Sequence, residues 1–401
     1  MEIDINKLLG LPLMEVQDFS FTEKKVFIRL RRVTESEICP VCLSCCKTIR
    51  SYTTRSVRDL DILGRKTYLS IESRQFECKN CKRYFIEDIA IVEGNHGLTK
   101  RYESYLYRMI KGINIQQICL KEDVCWGTLN AIHKTHSALE LSSRSVDWDK
   151  VKRISIDEIA VRKGKRNFAC VLRDPDSDQV LDMLEKRDMA TLKAYFIEKG
   201  IDFCNQIENV ISDMWDGYVN LAGEKGVFKN AINVIDLFHF VQHLGSALDG
   251  ERKAARKEFP ETECLKSLRW TVLKSPEDLN VEESKQLKEA FAVSGNLAKI
   301  YQLRIDLKAI FQKKHTKETG LEAINKWEEE AKKIDSKPLA KFLVTVNNWK
   351  DKVANFFIDR VTNAGMEGTN NHIRSIIRRA FGYVDFQTLR RRVLTECGDV
   401  P

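Results

Sequence analysis

The sequence predicts a multidomain α+β chain: a cysteine-bearing β module and a short helical module, then a mixed α/β core interrupted by an all-α insertion. Three observations carry this. Two Cys-x-x-Cys pairs bracket β-type sequence near the N-terminus, and apolar segments separated by turn sequences follow Arg153. A long charged stretch over residues 242–350 shows no strand alternation. A chain of 401 residues with 43% hydrophobic content can bury more than one core, so two or three domains are expected.

No run of 18 apolar residues is present, and residues 1–16 carry acids instead of a basic leader, so neither a membrane span nor a secretory signal is expected and the cytoplasm is the expected location. Twelve cysteines in such a chain point to reduced thiols or metal ligands. The formal net charge of +8 is compatible with a polyanionic partner. Its distribution says more: residues 1–150 hold 24 Lys and Arg against 20 Asp and Glu, while residues 368–392 hold six Arg against Asp385 alone. A basic stripe of that kind suits DNA phosphates.

Cys39-Pro40-Val41-Cys42 and Cys78-Lys79-Asn80-Cys81 can present four thiolates to a tetrahedral Zn²⁺, which closes a structural site. The intervening Lys66-Thr67-Tyr68-Leu69-Ser70-Ile71-Glu72 alternates as a strand after a turn at Asp61-Ile62-Leu63-Gly64-Arg65, so residues 1–95 read as a zinc ribbon. Cys45 and Cys46 leave open whether a neighbour substitutes for one ligand.

Over residues 96–150, Tyr102, Leu106, Met109 and Ile110, then Ile115, Ile118 and Cys119, then Leu129 and Ile132 recur at helical spacing. With a turn around residues 121–125 this reads as a helix-turn-helix, whose second helix would aim Thr128, Asn130 and Lys134 at a DNA groove.

The core begins with strands over 154–161, 166–174 and 179–185, joined by Lys163-Gly164-Lys165 and Asp174-Pro175-Asp176-Ser177, which makes a meander. A helix over 189–199 ended by Gly200 leads to strands over 209–213 and 231–236. Residues 151–245 thus form the first part of the core, 246–350 an α-helical insertion and 351–401 the core's final helices. In the insertion, Trp327 is expected in a core or an interface.

Ser155-Ile156-Asp157-Glu158-Ile159 and Ile211-Ser212-Asp213-Met214-Trp215-Asp216 each run an apolar strand into an acid, and Asn363-Ala364-Gly365-Met366-Glu367-Gly368-Thr369-Asn370-Asn371 places an acid at a helix entry. Three hard carboxylates from separate elements can hold two Mg²⁺ ions, the chemistry of phosphoryl transfer. Glu158 alternates away from Asp157 and should contact something else. Asp216 reads as a helix cap. Beyond Glu367, Asn370, Asn371, Arg374 and Arg378 are grouped on one helical face, while Ile373, Ile376, Ile377, Ala380 and Phe381 make the apolar one, and Gly382-Tyr383 stops the helix. His239 and His243 share an i, i+4 spacing, but imidazole suits Mg²⁺ less than oxygen does.

These strings together resemble the DDE transposases of bacterial insertion sequences, the ISL-three family, over nearly the whole chain. The resemblance implies an RNase H-like, retroviral-integrase-like catalytic core. It also implies Asp157, Asp213 and Glu367 as the catalytic metal triad, with two Mg²⁺ (or Mn²⁺) ions. Asp236 and His239, in Asp236-Leu237-Phe238-His239, match a further family string and are auxiliary candidates. From their position after Glu367, Arg374, Arg378 and Arg379 would hold phosphates near the scissile bond. The implied partners are double-stranded DNA, both terminal inverted repeats and target, and a second copy of the chain in a dimer or larger synaptic assembly. The implied activity is Mg²⁺-dependent strand cleavage and strand transfer. Two rivals stay open: a catalytically silent zinc and helix-turn-helix regulator, and a stand-alone RNase H-type nuclease.

Overall fold

The computed structural model describes residues 5–93, 97–144, 146–161, 168–380 and 385–398. Its contacts divide the chain into two compact units, residues 1–143 and 144–401. No helix among the described residues is long and apolar enough to cross a membrane.

In the first unit α1 (Ile5–Leu9) precedes the hairpin β1 (Met14–Phe21) and β2 (Lys25–Arg32), then β3 (Glu37–Ile38), β4 (Cys45–Cys46), β5 (Ile49–Ile62), β6 (Arg65–Glu77) and β7 (Tyr84–Ile86). The main sheet runs β1-β2-β6-β5 with β7 also on β6. Leu63 and Gly64 turn β5 into β6 with φ of +50° and +75°, the two positive values a tight hairpin demands; glycine supplies one without strain. Alternate residues Ile28, Leu30, Leu69 and Ile71 bury one sheet face. Next come α2 (Lys100–Gly112), α3 (Ile115–Glu122) and α4 (Trp126–Ser143). Asn114 caps α3, Asp123 breaks it in the left-handed region, and Tyr102, Leu106, Ile110, Ile118, Leu129 and Ile132 close the three helices on one core.

The second unit holds β8 (Arg153–Ala160), β9 (Phe168–Arg173), β10 (Val180–Leu184), α5 (Met189–Glu198), α6 (Ile201–Gln206), β11 (Asn209–Ser212), α7 (Asp216–Val219) and β12 (Ile232–Ile235). Its sheet has the order β10-β9-β8-β11-β12. The first three strands are antiparallel neighbours, and β8, β11 and β12 are parallel. The loop expected at Lys163-Gly164-Lys165, the start of its strand at 166, Phe381 of the expected apolar helix face and the stop at Gly382-Tyr383 lie outside the described residues. Helix α6 is not foreshadowed in the sequence; at six residues it is too short to show a clear period.

Alternation gives the parallel strands two faces. Ile154, Ile156 and Val210 join Leu192, Phe196 and Phe203 in one core. Ile211 and Val234 face the helical segment on the other side. That segment comprises α8 (Leu237–Glu258), α9 (Cys264–Ser267), α10 (Val281–Val293), α11 (Gly295–Gln312), α12 (Lys317–Lys332), α13 (Lys337–Val353) and α14 (Phe356–Asp359). Helices α8 and α13 run unbroken through positions 245–246 and 350–351, so the helical segment and the sheet share them. Trp327 is buried in this bundle, and its indole N–H donates to the Leu303 carbonyl at 2.7 Å. Finally α15 (Ala364–Arg379) and α16 (Phe386–Cys397) return to the sheet, α15 against β8 and α16 against β10. Bidentate bonds from Arg390 to the buried Asp182, at 2.6 and 2.8 Å, fasten α16 to the edge strand.

Candidate active site

Three strands deliver three acids in register. Ile156 pairs with Ser212, and Ser212 with Ile235, so Asp157, Asp213 and Asp236 each follow a matched position on adjacent parallel strands. Neighbouring strands are about 4.8 Å apart, and residues in register share a face, so the acids line up at the edge of the paired segment. Strand β8 outruns β11, which places Asp157 within its strand but at the limit of the parallel pairing.

Asp236 is also the N-cap of α8: its Oδ1 accepts from the Phe238 N–H at 3.0 Å. One turn into that helix, His239 Nδ1 lies 2.5 Å from Asp213 Oδ1 and 3.1 Å from Asp236 Oδ2. With no ion bound, bonds to Asp213 and then Asp236 push the imidazole up to about 10, and a cation held by the same three groups would have to displace that proton. Burial pushes Asp157 up to about 6, and the charges of Asp213 and Asp236 add to this against the Glu158 N–H bond and His239.

Asp213, Asp236 and His239 offer ligand atoms within 4.8 Å of one another, a group able to hold a metal ion. Asp157 and Glu367 are outside that tight trio. Both border the same cavity of about 480 Å³, with Asp236, His239, Asn363, Asn370 and Arg374. Carboxylate oxygens from strands and helix fit a hard divalent cation; the imidazole is the softer member. His243 is not in this group among the described residues, and it borders a separate groove with Lys337 and Lys341.

Gly365 explains how α15 reaches the sheet. A Cβ there would collide with the guanidinium of Arg173, which is 3% exposed and paired with Asp178. The helix then exposes Glu367 and buries Met366, Asn370, Ile373 and Ile376. This corrects the grouping of Asn370 with the polar face. Met366, Asn370, Ile373 and Ile376 follow a 4-3-3 spacing, the stripe of a packed helix, and that spacing was available in the sequence. Asn370 Nδ2 donates to Asp157 Oδ2 at 2.6 Å.

Glu158 points to the other face, where it accepts from Tyr218 Oη at 3.1 Å and pairs with Arg187. Asp216 is not a cap: Trp215 holds the N-cap position of α7, without a side-chain cap bond, and Asp216 is the first helical residue. Arg374 borders the cavity and donates to Asn371 at 2.8 Å, and Arg378 is exposed. Arg379 is instead committed to Glu396, whose side chain is 4% exposed and also accepts from Arg392 at 2.7 Å. A buried carboxylate must be paired, and that demand takes up part of the basic stripe.

In the first unit, Cys39, Cys42, Cys78 and Cys81 form the second metal-competent group. The Cys39–Cys81 and Cys42–Cys78 sulfur separations are 3.6 and 3.4 Å, against about 3.8 Å for thiolates spaced tetrahedrally around zinc. Ser44, 3.3 Å from Cys42 Sγ, lowers that thiol to about 5, whereas burial pushes Cys81 up to about 12 with no ion bound. Cys45 and Cys46 lie outside the group. In α4, Thr128 sits 3.0 Å from Cys125 and is half-buried, as is Asn130, while Lys134 is exposed.

Comparison with known proteins bears on this arrangement directly. Residues 154–393 match the ISL3 family of DDE transposases, described simply as transposase, and residues 35–81 match the zinc-finger of transposase IS204/IS1001/IS1096/IS1165. The chain belongs to the ISL3 transposase family. It is 27% identical over 364 residues to the transposase for insertion sequence element IS1001 of Bordetella parapertussis, covering 89% of this chain and 88% of that one. It is 24% identical over 362 residues to the transposase for IS1557 of Mycobacterium tuberculosis, covering 84% and 80%. The family match spans both the three in-register acids and Glu367, and the transposase's four-cysteine cluster coincides with the family's zinc ribbon.

Proposed function

We infer that this transposase binds the terminal inverted repeats of its own insertion sequence and catalyses Mg²⁺-dependent strand cleavage and strand transfer. The observation that carries the reading is the register that aligns Asp157, Asp213 and Asp236 on one face of an antiparallel-then-parallel sheet, beside the cavity Glu367 borders. That strand order is the one expected of an RNase H-like core. Asp157, Asp213 and Glu367 would hold two Mg²⁺ or Mn²⁺ ions, with Asp236 and His239 auxiliary. Two such ions, when bound, activate the attacking oxygen and stabilise the leaving 3′ oxygen of an in-line displacement.

The chain's own groups do the rest. Arg374 and Arg378, near the cavity and on the exposed side of α15, hold backbone phosphates by charge-assisted bonds, and Arg379 acts through the α15–α16 packing. Helices α3 and α4 act as a helix-turn-helix, with Thr128, Asn130 and Lys134 on the reading helix. The zinc ribbon over 1–95 and this module over 96–150 serve end recognition. The core occupies 151–245 and 351–401, and the helices of 246–350 are the insertion. Joining needs two ends held at once, so a dimer or larger assembly is the working form, acting on the nucleoid in the cytoplasm.

The deciding assay supplies paired element ends with a target duplex in Mg²⁺. The wild-type chain yields joined products, whereas Asp157→Asn binds the ends and leaves them uncut. Full cleavage by Asp157→Asn, or end binding without any cleavage by the wild type, overturns the reading.

A further inference from the structure

Asn370 is a polar residue in an apolar stripe. Its neighbours at helical spacing, Met366 and Ile373, are wholly buried, and Asn370 itself is 1% exposed. Burying an amide is unfavourable unless its polar atoms are used. The donor side is used, because Nδ2 donates to Asp157 Oδ2 at 2.6 Å while Asp157 Oδ1 accepts from the Glu158 N–H at 2.7 Å. A carboxylate only accepts, so the amide must turn its NH₂ to Asp157 and its oxygen elsewhere.

That oxygen, Asn370 Oδ1, is buried and has no hydrogen-bond partner among the described residues. The same holds for Asn363 Oδ1, two helical turns earlier and 3% exposed, at the N-cap position of α15 where its side chain makes no cap bond. Both asparagines line the cavity that Asp157, Asp236, His239 and Glu367 line. Native proteins rarely leave buried acceptors unpaired, and neutral carbonyl oxygens are suitable ligands for a hard divalent cation and acceptors for its waters. An amide also adds an oxygen without adding charge to a site already crowded with carboxylates.

We propose that Asn370 is a further residue of the divalent-metal site. Its Nδ2 holds the Asp157 carboxylate in place, and its Oδ1 enters the coordination shell of the ion, directly or through a water. This rests on the reading of the cavity as a divalent-ion centre. As with partners that fix metal ligands in general, removing it weakens metal affinity by about 10- to 100-fold.

The test is Mn²⁺ binding by the full-length chain, followed by electron paramagnetic resonance, with urea unfolding in parallel. Asn370→Leu, close in volume and without polar atoms, is expected to bind Mn²⁺ at least about 10-fold more weakly than the wild type. Mn²⁺ affinity within twofold of wild type in Asn370→Leu, while Asp157→Asn is weakened, overturns this proposal alone. Unchanged affinity in both variants overturns it together with the cavity assignment. Should Asn370→Leu fail to fold, anomalous scattering from Mn²⁺ in wild-type crystals decides. An ion with Asn370 Oδ1 in its first shell or bonded to its waters supports the proposal, and an ion with Oδ1 outside both overturns it.

Discussion

The side-chain amide of Asn370 donates to Asp157 at 2.6 Å across 213 residues of sequence. The bond ties the helix that bears Glu367 to the strand that bears the first acid, so two carboxylates are set relative to one another by a group neither supplies. Around it, Gly365 lets α15 approach Arg173, and Met366 and Ile373 seat the helix. The site's geometry is therefore a property of this packing as much as of the acids.

Asp236 serves both as the cap of α8 and as a member of the trio with Asp213 and His239. Asparagine caps about as well as aspartate, so Asp236→Asn is expected to unfold within about 0.5 kcal/mol of wild type, whereas Asp236→Ala loses about 1 kcal/mol. Both variants remove a charge from the trio and should bind Mn²⁺ more weakly. Urea denaturation beside Mn²⁺ titration separates the two roles. Equal destabilisation of the two variants would show that charge, not capping, holds the helix start.

The two glycines flanking Met366 and Glu367 should respond in opposite senses. Gly365→Ala forces a methyl group into the buried Arg173 guanidinium and is expected to cost about 1–3 kcal/mol. A methyl group added at Gly368 would meet nothing within 4 Å, and this exposed helical position is expected to gain up to about 1 kcal/mol on replacement by alanine. Thermal unfolding of the metal-free variants measures both. A stabilised Gly365→Ala would mean that Arg173 swings away freely.

Zinc removal tests the other centre. One zinc per chain is expected by atomic absorption, retained in Cys45→Ser and Cys46→Ser and lost in Cys39→Ser with Cys42→Ser. Loss of the ion should also abolish binding to the element ends, because the cluster joins residues near β3 and β4 to those after β6, and little apolar burial accompanies it. Full zinc content in the double variant would move the site to other ligands.

Much of the framework was legible because it depends on neighbours in sequence. Apolar runs ending in Asp157 and Asp213, turn residues around Asp174-Pro175, and the glycine after α5 mark strands and stops through local conformational preference. The Cys-x-x-Cys spacing marks four sulfur ligands for the same reason. The hairpin β1–β2 is hidden at that level, since its exposed Phe19, Phe21 and Phe27 leave a weak alternation.

What the sequence alone determined was most of the inventory: the core strands and the longer helices, the two Cys-x-x-Cys pairs, and the acids that stand at strand ends. Only the tertiary structure decided the alliances among them. Register across β8, β11 and β12 brought Asp236 level with Asp157 and Asp213, and packing joined Asn370 to Asp157 while Glu396 claimed Arg379 and Arg392. Strand pairing and the need to satisfy buried charges and amides act between residues far apart in the chain, and no local pattern encodes the distance between them.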